Sequence, residues 1–154
     1  MNEPGSSLAG SQFARGRDVE SAAQADKMNR LYVVEPNMSL TGSNADHRLR
    51  LPASDIARYA RALAAELVSA HGLQLGALSD ALRGVSTEGL PEAWIKAVAK
   101  DLVASRAESL IVVGSRQPAA VHALAHALNR ALGSVGRTVS YMSVVDPPES
   151  EPFS

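Results

Sequence analysis

LYVVEPNMSLTGSNADHRL, residues 31–49, begins as a strand and then stops behaving like one. Leu31 to Val34 are β-prone and apolar or aromatic, and Pro36 ends the run because it has no N–H to give to a ladder. Asn37, Ser39, Thr41, Gly42, Asn44, Asp46, His47 and Arg48 follow, with few apolar side chains to anchor them. Open α/β sheets keep their ligands in loops at the carboxyl ends of strands. The expectation is a strand over residues 30–35 that leads into a ligand loop, or into a loop inherited from an ancestor that had one.

Downstream, helix and strand signals alternate. Ser54 and Asp55 offer an N-cap to a helix with Ile56, Ala60, Leu63, Ala64 and Leu67 in one stripe, which His71-Gly72 ends. Residues 73–90 read as a connection with at most a short helical turn. Pro91 suits the first turn of a second helix, with Trp94, Ile95, Val98, Leu102 and Val103 inward. Ser109 to Val113 is a short apolar run of the kind buried on both faces of a parallel sheet. GSRQP, residues 114–118, leads into a third helix with Val121, Leu124, Ala125, Leu128 and Leu132 inward. Gly133 is its stop, and a last strand is expected over Thr138 to Val145.

This alternation predicts an α/β fold, a Rossmann-like three-layer domain with a short, mainly parallel sheet, over residues 29–145. Crossovers are expected to be right-handed. Residues 1–28, rich in Ser, Gly, Ala and Gln, read as a disordered arm or the remnant of an upstream region, and residues 146–154 as a disordered tail. Three strands make a thin sheet with open edges, which implies a part of something larger.

The 154 residues suit one domain. Fifteen Lys and Arg against sixteen Asp and Glu create no field for nucleic acid, and one Trp, three Tyr and two Phe supply no platform for stacking bases. The absence of cysteine removes thiolate-held clusters, disulfides and cysteine nucleophiles from this chain. No apolar run reaches the length of a membrane span. MNEPGSSLAGSQF lacks the basic and apolar regions of an export signal, so the chain as it stands is expected to be cytoplasmic.

Three groupings could carry chemistry. Gly114, Ser115 and Arg116 precede a helix N-terminus, where free N–H groups favour an anion, but GSRQP matches no phosphate-loop motif. His122 and His126 have a metal-ligand spacing, yet no third ligand is close in sequence and the structural role is favoured. Ser39, Ser43, Asp46 and His47 are raw material for hydrolysis, but neighbours on one loop do not make an oriented triad. The expectation is no catalytic residue and no metal ligand.

The order of these features resembles the molybdopterin oxidoreductase superfamily, in which a strand ends in an acidic residue and Pro, passes a Thr-containing turn and an Ala-Asp pair, and enters a helix at Pro-Gly-Thr-Asp. The matching residues are Glu35-Pro36, Thr41, Ala45-Asp46 and Pro52-Ala53-Ser54-Asp55. The run from Ser109 to Val139 is similar to the family's strand, Gly loop, helix and closing segment. MNRLYVVE, ADHRL, VAKDL and QPAAVHALAHALN are most similar to the molybdopterin oxidoreductase-like region of the large iron–sulfur subunit of alternative complex III, a quinol-oxidising respiratory assembly.

That likeness implies a non-catalytic scaffold domain or fragment, inactive alone, in an electron-transfer complex whose iron–sulfur clusters lie elsewhere in the parent subunit. It also implies, as partners, the remaining domains or subunits of a complex on the outer side of the bacterial cytoplasmic membrane. In cofactor-bearing relatives the matching positions hold a molybdopterin guanine dinucleotide. Carried over, Asp55 would accept from guanine, Glu35 from the ribose, and Ser115 would lie near phosphate. Ala53 and Ser54 stand where the family has Gly and Thr, and a Cβ where the backbone must come close works against that cofactor. The alternatives are a guanine-dinucleotide-pterin-binding domain and a small-anion-binding α/β domain.

Overall fold

The computed structural model describes residues 6–142, so the tail 146–154 and the end of the expected last strand lie outside the described residues. The chain divides into two compact units, Met1–Ala53 and Ser54–Ser154.

The first unit is organised by a parallel pair of strands. β1 (Tyr32–Glu35) runs beside β2 (His47–Arg50) in the register Tyr32 to His47, Val33 to Arg48, Val34 to Leu49 and Glu35 to Arg50. The polar stretch after Pro36, expected as one long loop, is corrected to a crossover connection and a second strand, since parallel strands cannot be joined by a tight hairpin. Residues 36–46 make the crossover with a single helical turn, α2 (Leu40–Ser43), where the Ser39 hydroxyl accepts from Gly42 N at 3.0 Å. His47 and Tyr32 stack across the pair with centroids 4.7 Å apart.

Ahead of the strands, α1 (Ser6–Arg15) and a 3-10 segment (Ala22–Lys27) occupy much of the stretch expected to be an arm without structure. The arm is tied in by Asn29, whose N–H donates to Gly16 O at 3.0 Å, and by Arg17, which lies over the Phe13 ring and donates to Asp46 Oδ1 at 2.7 Å.

The second unit is helical. It holds α3 (Ala53–Ser69, which starts at the boundary), α4 (Ala77–Ala81), α5 (Glu92–Ala104) and α6 (Ala119–Ala131). Its core is formed by Tyr59, Ala62, Leu63, Ala64 and Leu67 of α3, Ile95, Val98 and Ala99 of α5, and Val121, Leu124, Ala125 and Leu128 of α6. Leu73, Leu82, Leu90 and Leu132 come from the connections. Tyr59 is buried because its hydroxyl accepts from Trp94 Nε1 at 3.1 Å. Gly72, at φ +67, turns the chain after α3 so that Leu73 N reaches Leu67 O at 2.9 Å.

The expected strand over 109–113 is corrected. The segment has no neighbouring strand among the described residues. Instead the buried Asn129 of α6 offers its carboxamide: Ile111 N donates to its Oδ1 at 2.9 Å, and its Nδ2 donates to Ile111 O at 2.8 Å. One side chain thus does for Ile111 what a neighbouring strand does in a ladder. Asn129 also ends its helix, its carbonyl accepting from Ser134 N at 2.9 Å while Gly133 N donates to Arg130 O at 3.0 Å. With Gly133 at φ +79 this is a Schellman closure. Ala107, itself at φ +64, donates to Leu132 O at 2.8 Å, and Thr138 Oγ1 to Ser109 O at 2.6 Å. In the expected last strand, Val139 makes an isolated bridge with Val135, and Tyr141 and Met142 are exposed.

The described architecture is thus mixed helix and strand with one short parallel sheet. Among the described residues no helix is long and apolar enough to cross a membrane.

Candidate functional site

Glu35 closes β1, and the strand register sets its side chain on the same face as Arg50, opposite it, and Arg48, two residues back. Arg48 Nε donates to Glu35 Oε1 at 2.6 Å, and Ser39 N donates to the same oxygen at 3.1 Å. The pair is mostly shielded, with 20% of the Arg48 side chain and 13% of the Glu35 side chain exposed. A hydrogen bond from the Ser39 side chain, and then the Arg48 guanidinium, hold the Glu35 carboxyl below its ordinary pKa. Gly42 is buried beside it, and a Cβ there would meet the Glu35 carboxylate. The crossover therefore wraps onto the acid that the family resemblance assigns to a ribose.

Asp46 has a similar fate. Its two oxygens accept from Arg17 Nη1 and Nη2 at 2.8 and 2.7 Å, a bidentate fork, and Oδ2 also accepts from Leu31 N at 2.7 Å. Arg17 Nη1 reaches Asn29 O at 2.8 Å as well. Asp46 N in turn donates to Leu31 O, so this residue clips the entrance of β1 to the entrance of β2. The hydrogen bond from Arg17 is the main cause that pushes its carboxyl well below the usual carboxylate range.

A carboxyl whose folded pKa is depressed gives stability that is full above its unfolded pKa and is lost as pH falls through the folded value, here from about pH 5 downward. Asp46→Asn is expected to lower stability at pH 7 by about 1–2 kcal/mol. The gap to the parent protein should shrink steadily in melts at successively lower pH. A gap that does not change with pH would exclude the ionic clip as its source.

Asp55 belongs to the second unit, in the first turn of α3, where a carboxylate suits the helix dipole. Its Oδ1 accepts from Arg58 Nη1 at 3.0 Å, and Arg58 Nη2 goes on to Glu88 O at 2.7 Å. Ser115 is exposed in a turn closed by Gln117 N to Gly114 O at 3.0 Å, ahead of α6, and Arg116 beside it is exposed too. Glu35 lies in the first unit, and Asp55 and Ser115 in the second. His126 Nδ1 shares a hydrogen bond with the Tyr141 hydroxyl at 3.0 Å. Among the described residues no three His, Asp or Glu side chains gather as metal ligands would.

Sequence reasoning gave no role to Arg17 or to Arg48. Arg17 sits in a stretch read as featureless, and Arg48 and Arg50 disguise a strand whose other face is His47 and Leu49, with the buried Leu51 just beyond it. The strict alternation of HRLRL is the signal that could have found it. No protein-family model matches the chain, and no curated protein matches it.

Proposed function

We propose that this chain is a non-catalytic scaffold domain of a molybdopterin oxidoreductase-like iron–sulfur subunit, of the kind found in quinol-oxidising respiratory complexes. The observation that carries this reading is the engagement of Glu35. The carboxylate oxygen that would accept from a nucleoside is taken by Arg48 and by Ser39 of its own crossover. A ligand would have to displace a 2.6 Å ion pair to use that oxygen.

The exposed apolar side chains of Leu110 and Val112, on a segment with no strand beside it among the described residues, support the same reading. Such an edge is suited to a partner chain, which would complete a Rossmann-like three-layer domain. Electrons would then pass through clusters held elsewhere in the parent subunit, with this domain supplying shape. The second reading, a domain that binds a guanine dinucleotide pterin through Glu35 and Asp55, would require both carboxylates to exchange their arginine partners for the cofactor.

The two readings separate in a thermal melt with and without 1 mM GDP, with ADP as control. A retained site with a Kd of about 10 μM would contribute roughly 2.7 kcal/mol at that concentration and visibly raise the midpoint. The expected result is one cooperative transition that neither nucleotide moves. A rise with GDP alone, lost in Asp55→Ala, would replace the scaffold reading with the cofactor-binding one.

A further inference from the structure

We propose that the cleft along the C-terminal half of α6 is a binding site for a small monocarboxylate with a flat apolar body. The cleft has a volume of about 830 Å³, within the range of roughly 300–1,000 Å³ that small-molecule sites occupy. His126, Ala127, Arg130 and Ala131 line it from α6, and their spacing places all four on one helical face.

Gln74 and Leu75 line it from the turn after α3. Gln74 Nε2 is held by Gly72 O at 3.1 Å, and Leu75 N by Ser79 Oγ at 3.2 Å. Val135 and Tyr141 complete the lining. Gly133 and Gly136, at φ +79 and +84, let the chain reverse after α6 so that these two residues return to it, and Tyr141 is fastened there by His126.

The chemistry of the lining selects the ligand. Among the described residues Arg130 is its one permanent cation, no carboxylate lines the cleft, and Arg130 makes no ion pair. A guanidinium free to form a fork favours a carboxylate over a neutral group. Gln74, His126 and Tyr141 add hydrogen-bonding groups, while Ala127, Ala131, Leu75 and Val135 offer a surface of apolar side chains to a ring or short acyl body. The scaffold reading does not require this cleft, and the site stands whether or not that reading holds.

The test is calorimetric titration of the full chain with phenylacetate and, separately, with its uncharged isostere phenylacetamide. The expected result is about millimolar or tighter binding of the acid, the scale for so small a ligand, and at least about tenfold weaker binding of the amide. Arg130→Met, a change at an exposed position, should weaken the acid about tenfold and leave the amide unaffected. Ala127→Leu, which narrows the cleft beside Arg130, should weaken binding of the acid. No binding of the acid, equal affinity for acid and amide, or unaltered affinity in Arg130→Met would each overturn the proposal.

Discussion

Asn129→Leu is expected to cost the protein about 2–4 kcal/mol, although it exchanges one buried side chain for another of similar size. The loss comes from the backbone of Ile111, whose N–H and C=O both depend on the Asn129 carboxamide. Each group costs about 1–3 kcal/mol when stranded fully away from water, and both the partial exposure of Ile111 and the gain from burying Leu reduce the sum. Hydrogen exchange is the more specific readout: the Ile111 amide should lose protection in the variant, while amides inside α3 and α5 follow only the global loss. A variant as stable as the parent would mean that 109–113 finds its hydrogen-bond partners elsewhere.

Leu67→Ala is expected to be as damaging for a different reason. Leu67 is fully buried, and its carbonyl accepts from Leu73, whose side chain is buried as well. Truncation leaves a cavity at the end of α3, and substitutions of this kind cost about 2–5 kcal/mol. Leu78, 43% exposed on α4, supplies the comparison, with Leu78→Ala expected to remain within about 0.5 kcal/mol of the parent. Urea midpoints for the two variants check this, and similar midpoints would place the core of the second unit elsewhere.

The helices were legible in the sequence because they report on themselves. The apolar stripe expected for α6 is buried at each of its five positions, and Pro91 and Pro118 directly precede α5 and α6. For α3 the buried face is turned slightly from the expected one. Tyr59 and Ala62 are buried and Ile56 is half-exposed, because Trp94 satisfies a tyrosine hydroxyl that counts as polar in a pattern.

Strands were less legible because a strand is defined by its partner. Ser109 to Val113 has the composition of a central strand, but what pairs with Ile111 is an amide side chain eighteen residues later. HRLR has the composition of a surface loop, yet its backbone pairs with YVVE. The candidate site was legible in residue types and not in their engagement. Glu35 and Asp55 are present as the resemblance requires, but which arginines would claim them depended on a register and a helical turn that appear only on folding.

The connection between β1 and β2 also limits how this chain can vary. Eleven residues, 36–46, carry it from the end of one strand back to the start of a parallel neighbour, close to the shortest span that such a link allows. Lengthening it costs little, since the entropy of loop closure grows only slowly with length. Shortening it is another matter: a deletion must pull His47 out of line with Tyr32, and a slip of one position would turn the Arg48 face to where Leu49 now points. Descendants of this sequence should therefore tolerate insertions between Pro36 and Asp46 and rarely carry deletions there.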